Sequence, residues 1–185
     1  SMTGGNARII YGGAGTSAKY GNRIISVTGG NIEYSILGGS NSYAGSSTDG
    51  KLTSDTLVYV GGNITIGEND HITNGDTLYN VESGSVFGAG GGRSGNNYTG
   101  LGTVNNSHVI INGGNILGSV YGGGNYGSTG TQLAATSKTK IDIYDGNIIN
   151  NVLNKNGQAD KSGAVYVGAT GLNLNGNYWG GAAPE

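Results

Sequence analysis

Val109-Ile110-Ile111-Asn112-Gly113-Gly114-Asn115-Ile116-Leu117-Gly118-Ser119-Val120-Tyr121-Gly122-Gly123-Gly124-Asn125 is the stretch on which the reading of this chain turns. A short apolar run meets a Gly-Gly-Asn corner, a second apolar segment follows, and glycines close the unit. Working outward, the same order recurs at Gly29-Gly30-Asn31-Ile32, closing at Leu37-Gly38-Gly39, and at Gly4-Gly5-Asn6, closing at Tyr11-Gly12-Gly13. A further copy opens at Gly61-Gly62-Asn63-Ile64 and closes at Val86-Phe87-Gly88, while Asp145-Gly146-Asn147-Ile148 keeps the first corner and loses the closing glycines. A repeat of this period is a supersecondary unit that buries its apolar face only against its neighbours. The chain is therefore expected to be all-β, a single-domain β-solenoid.

The apolar runs before the corners are Arg23–Val27, Thr56–Val60, His108–Ile111 and Lys140–Tyr144. In the last, Ile141 and Ile143 alternate with Lys140, Asp142 and Tyr144, the period of a half-buried strand. One unit then reads as strand, Gly-Gly-Asn corner, strand, glycine corner, variable loop. Glycine takes positive φ freely and asparagine better than most residues, so the corner can turn sharply. Asn6, Asn31, Asn63, Asn115 and Asn147 are the structural corner residues, 25, 32, 52 and 32 residues apart. They either suit their turns one at a time or stack from repeat to repeat and share amide hydrogen bonds. Tyr11, Leu37, Phe87, Tyr121 and Leu153 share one repeat position and are expected to form a packing stack.

Length excess goes into loops at Ser40–Ser54, Glu68–Glu82, Gly90–Ser107, Gly124–Ser137 and Asn154–Ser162, placing variable loops on one side. The Glu68–Glu82 loop differs by interrupting a motif. Ser1-Met2 reads as a cloning remnant and residues 3–185 as the repeat domain, expected to belong to a longer surface protein.

Composition agrees. Forty glycines accompany one proline with no Gly-X-Y period, so collagen is excluded, and the Val, Ile and Tyr clusters argue against disorder. A net charge of −2, with Lys and Arg scattered singly, gives no footprint for nucleic acid, and no 18-residue apolar stretch predicts membrane insertion. The absence of cysteine removes disulfides and thiolate metal sites and fits a bacterial exported protein.

Val109 to Asn125 resembles the Gly-rich repeat of large bacterial surface proteins called adhesin-like, approximately V-x-I-x-G-G-x-I-x-G-x-V-Y-G-G-G-N. That resemblance implies a parallel β-helix on the cell envelope. Asn173-Leu174-Asn175-Gly176-Asn177-Tyr178-Trp179-Gly180-Gly181-Ala182-Ala183-Pro184 is similar to the N-x-W-G…P ending of pectate-lyase-like right-handed β-helices. It implies a right-handed coil with Trp179 capping the last turn, and a left-handed roll stays open. The same resemblance brings in polysaccharide lyases and hydrolases, which need converging carboxylates or a base beside bound calcium.

No such constellation is legible in the sequence. Asp142 and Asp145 straddle a corner and read as a solvated strand face. Glu68, Asp70 and Asp76 are candidate oxygen ligands for Ca²⁺, in a spacing that fits neither an EF-hand nor the calcium nonapeptide. No other cofactor is expected. His71 has no nucleophile paired with it, His108 reads as a surface residue, and the Gly-rich runs open no helix that would hold a phosphate. Tyr43, Tyr79, Tyr98 and Tyr126, with Arg93, lie in polar loops and are the candidate ligand-binding residues. The expectation is a non-enzymatic, extracellular bacterial adhesin-like module that attaches to a host or matrix glycan or protein. A carbohydrate-active β-helix and a passive spacer stay open beside it.

Overall fold

The computed structural model describes residues 1–13, 21–40, 55–67, 84–91, 104–125, 139–149, 152–153 and 165–167. Every regular element among them is a β-strand. In chain order they are β1 (Asn6–Ala7), β2 (Ile10–Tyr11), β3 (Arg23–Ile32), β4 (Ile36–Leu37), β5 (Thr56–Ile66), β6 (Val86–Phe87), β7 (Ser107–Ile116), β8 (Val120–Tyr121), β9 (Thr139–Ile148), β10 (Val152–Leu153) and β11 (Val165–Val167). The odd-numbered strands form one sheet in the order β1-β3-β5-β7-β9-β11, and the even-numbered strands form a second in the order β10-β8-β6-β4-β2. Every pairing in both sheets is parallel. Each sequence repeat thus gives its long strand to one sheet and its short strand to the other. Six strands at about 4.8 Å spacing make the larger sheet about 24 Å across.

Alternation decides which side chains go inside. Ile25, Val58, Val109 and Ile141 fall in register, as do Val27, Val60, Ile111 and Ile143. These columns join Ile36, Val86, Val120 and Val152 of the second sheet in one continuous core cluster. Met2 pairs with Val27 and packs against the same core. The backbones of Tyr11, Leu37, Phe87, Tyr121 and Leu153, expected to share one column, are successive register partners, and within it the Phe87 and Tyr121 rings stack with centroids 4.7 Å apart.

The same repetition pairs several of the buried hydroxyls, though Ser40 Oγ is buried and meets no partner among the described residues. Ser35, Ser85 and Ser119 are buried; the Ser85 amide donates to Ser35 Oγ and the Ser119 amide to Ser85 Oγ, each at 3.0 Å. Thr56 Oγ1 donates to the Gly88 carbonyl and Ser107 Oγ to the Gly122 carbonyl, tying the starts of the long strands to the closing glycines. Buried hydroxyls satisfied in this way avoid the cost of an unpaired polar group.

Two expectations change. The Gly-Gly-Asn corner is not a break between strands: β3, β5, β7 and β9 each run through it as one hydrogen-bonded ladder, with register shifts at the corner. Gly30 at φ 99° and Gly114 at φ 90° bend the strand there. A neighbouring repeat that bends at the same step keeps the backbone groups paired, so the bend needs no loop. The loop expected over Gly90–Ser107 is also shorter at both ends. Val104 is fully buried against Ala89, and the Asn106 carbonyl accepts from the Thr56 amide at 3.0 Å.

The chain leaves the described strands at a repeated step. Residues 14–20, 41–54, 92–103, 126–138 and 154–164 each follow a second-sheet strand and precede a first-sheet strand. Residues 68–83 are different, lying between β5 and β6. Their flanking glycines are drawn together: the Gly67 amide donates to the Ile32 carbonyl and the Gly84 amide to the Tyr34 carbonyl, at 2.7 and 2.6 Å.

Candidate functional site

The outward side chains of the larger sheet form rows across the strands. Ile24, Leu57, His108 and Lys140 share one row, and Ser26, Tyr59, Ile110 and Asp142 share the next. Ile24 is 71% exposed, so apolar surface is presented to solvent at one end of this face. Tyr59 is partly exposed, and its ring lies along its own strand, so that a Cβ added to Gly61 would come within 2.9 Å of the ring and of its hydroxyl. The Tyr59 hydroxyl accepts from Asn112 Nδ2 at 3.1 Å, which fixes the ring from the next repeat.

Asp142 corrects the sequence reading. Its side chain is only 5% exposed, on the face expected to be solvated, and Oδ2 accepts from Lys140 Nζ and contacts His108 Nε2, both at 2.7 Å. His108 lies 34 residues away and reaches Asp142 only because β7 and β9 are neighbours. Oδ1 is buried and meets no donor among the described residues. Burial alone would push the Asp142 carboxyl up, but hydrogen bonds from Lys140 and His108, with their charges, outweigh it and hold the group below its ordinary value. Lys140 moves up, chiefly through its hydrogen bond to Asp142. The arrangement is an ion-paired clamp between adjacent repeats.

A group whose folded pKa is depressed contributes stability above its unfolded pKa, about 4 for aspartate, and loses it as pH falls through the folded value. Asp142→Val is expected to fold within about 1 kcal/mol of the parent at pH 7. It removes a buried oxygen without a donor, while Lys140 and His108 are exposed enough to be hydrated. Denaturant unfolding at pH 7 and pH 3 checks this: the variant should lose less stability on acidification than the parent does. A loss above about 3 kcal/mol at pH 7 would show the clamp to be worth far more than its geometry indicates.

The corner residues form a second feature. Asn31 Nδ2 donates to Asn6 Oδ1 at 3.4 Å, and Asn147 Nδ2 to Asn115 Oδ1 at 2.8 Å, so neighbouring corners do share side-chain amide bonds. The third repeat departs from this. Five residues separate Val60 from Ile66, where four separate Val27 from Ile32 and Ile111 from Ile116. Thr65, not Asn63, therefore stands in register with Asn31 and Asn115, and Asn63 pairs with Gly29. The local Gly-Gly-Asn string is the same in both cases. What overrides it is the core, which takes Ile64 as well as Ile66 and so forces one extra residue into the bend.

Two open concavities flank this row. One, of about 400 Å³, is lined by Asn6, Arg8, Asn31, Glu33, Thr65 and Gly67, among others, and its charges are paired through Arg8 Nε to Glu33 Oε2 at 3.1 Å. The other, of about 420 Å³, lies over the β5–β7–β9 corner. No family model, curated protein or solved structure matches the chain.

The sequence candidates fall elsewhere. Tyr43, Tyr79, Arg93, Tyr98 and Tyr126, the acids Glu68, Asp70 and Asp76, and His71 lie outside the described residues, as does the 173–184 ending with Trp179. The segments holding Tyr43, Arg93, Tyr98 and Tyr126 each fall in sequence between a second-sheet strand and the next first-sheet strand. Tyr79 and the three acids belong to the 68–83 segment, which lies between Gly67 and Gly84. Among the described residues no group of three or more His, Cys, Asp or Glu is placed to hold a metal ion. The Tyr59–Asn112 contact and the bulge at Asn63 were missed by sequence reasoning; counting residues between the core positions Val60 and Ile66 would have found the second.

Proposed function

We propose that the chain is a right-handed parallel β-helix and a non-enzymatic module of a bacterial surface protein, attaching to a host or matrix glycan or protein. What supports the β-helix is the strict alternation of successive strands between two parallel sheets, with equivalent residues in register. Connections between parallel neighbours in one sheet run overwhelmingly right-handed, which favours that hand. The observation that carries the attachment reading is the repeated exit step. Five segments of differing length and sequence each fall between a second-sheet strand and the next first-sheet strand, the kind of repeated insertion point at which repeat proteins place a binding face.

A polysaccharide lyase would need a basic side chain able to take up a proton. Lys140, the one lysine that the described strands bring against a carboxylate, is held in its protonated form by that contact, which is the wrong direction for a general base. The attachment reading is tested by screening the whole chain against a glycan array and a panel of extracellular-matrix proteins, with and without calcium. Saturable binding to one class is the expected result. A blank on both surfaces would leave a spacer.

A further inference from the structure

The bulge in β5 changes what the corner over β5, β7 and β9 presents. In the flanking repeats the corner asparagines stand in one row; here Thr65 takes that place and Asn63, exposed as Asn31 and Asn115 also are, pairs with Gly29 instead. Bulges of this kind commonly re-aim a side chain at a binding site. The concavity of about 420 Å³ at this point is lined by Asn63, Thr65, Asn115 and Asp145, with Gly62, Gly113, Gly114 and Gly146 supplying a floor without side chains. Asn115 spends its carbonyl oxygen on Asn147, and Asp145 spends one oxygen on the Gly146 amide at 2.8 Å. That leaves the Asn115 amide nitrogen and the second Asp145 oxygen as donor and acceptor, beside a hydroxyl and a further amide.

One aromatic ring stands beside this lining without being part of it. Tyr59 lies over Gly61, the residue before Gly62, and its hydroxyl is held by Asn112, the residue before Gly113. The held hydroxyl accepts from Asn112 and keeps its own proton to donate. Flat apolar surface beside several amide, hydroxyl and carboxylate groups suits a molecule with one apolar face and many hydroxyls, in a volume of ordinary ligand size. The lining contains one carboxylate and no cationic side chain. An acidic sugar would be repelled there.

From these residues we infer that the β5 bulge builds a binding subsite for a neutral pyranoside, seated between Tyr59 and the Asn63–Thr65–Asn115–Asp145 concavity. The inference rests on the attachment reading and narrows it to a neutral glycan at a stated place.

The test uses the full chain and neutral gluco-, manno- and galacto-oligosaccharides, with oligogalacturonate as the acidic counter-probe. Binding is followed by calorimetry and by amide shift mapping, for the parent, Asn63→Ala, Asp145→Ala and Tyr59→Ala. The expected result is binding of a neutral series, with shifts at Gly62, Asn63, Thr65, Gly113 and Gly146. Affinity should fall at least about tenfold in Asn63→Ala, an exposed position where folding is not at risk, and in Tyr59→Ala. Neutral-glycan binding with shifts elsewhere and no effect of Asn63→Ala overturns the subsite while the attachment reading stands. Preference for oligogalacturonate, or shifts at Asp145 produced by calcium alone, also overturns it. Failure of every glycan together with every matrix protein removes both.

Discussion

Phe87→Ala is expected to lower the unfolding free energy by about 3–5 kcal/mol, the range for removing a large buried aromatic side chain. Phe87 is 1% exposed and sits between Leu37 and Tyr121, its register partners in the flanking repeats. Its ring is stacked on Tyr121 with an interplanar angle of 4°, so the substitution removes an aromatic pair as well as buried area. Collapse into the space is hindered because Ile36 and Val86, the residues before this column, are already fully buried. Where repeats pack chiefly against their immediate neighbours, one such loss weakens two interfaces at once. Thermal unfolding should shift down by on the order of 10 °C for a chain of this size. A shift of a degree or two would mean that the Leu37–Phe87–Tyr121 column contributes little.

Gly88→Ala is expected to destabilise by about 3 kcal/mol, at the upper end of overpacking. Adding a methyl group to a glycine usually stabilises through the unfolded chain where the backbone and space allow it. Here space decides the sign. A Cβ on Gly88 would overlap the Gly122 carbonyl oxygen, and would stand 2.9 Å from Ser107 Cβ and 3.1 Å from Val109 Cγ2. The first obstacle is backbone, and moving it strains the bond from Ser107 Oγ to that same carbonyl. Gly12 and Gly38 stand in the same column and meet the next repeat in the same way. Gly4→Ala serves as the control, because nothing lies within 4 Å of its added Cβ, and its effect should fall within about 0.5 kcal/mol of zero. Denaturant midpoints of the two variants, at unchanged slope, check the pair.

The features legible from sequence are those that each repeat states for itself. Alternation in Lys140–Tyr144 and the shared position of Phe87 and Tyr121 gave the inward columns. The glycine runs mark the corners and closings of each repeat; that repeats approach too closely there for side chains is seen only in the structure. What stayed hidden depends on distances between repeats. Asp142 reads as solvated because the strand that supplies His108 begins 35 residues earlier in the chain. Val104 lies in a Gly- and Asn-rich stretch and is buried against Ala89 and close to Gly39 of preceding repeats. Asn63 was assigned by its local Gly-Gly-Asn string, but the ladder is set by which isoleucines the core accepts. The loop tyrosines were chosen for exposure by composition. Alternation with Val58 and Val60 turns Tyr59 outward, but nothing local shows that its ring lies over Gly61 or that Asn112 of the next repeat holds its hydroxyl.

All of this depends on the repeats stacking in parallel in one register. Through-hydrogen-bond couplings measured by NMR on labelled protein read that register directly. The account predicts couplings from the Ile36 amide to the Ser85 carbonyl, from the Val86 amide to the Ser119 carbonyl and from the Gly88 amide to the Tyr121 carbonyl. Couplings from these amides to other carbonyls, or reciprocal pairs of the kind antiparallel strands exchange, would contradict it.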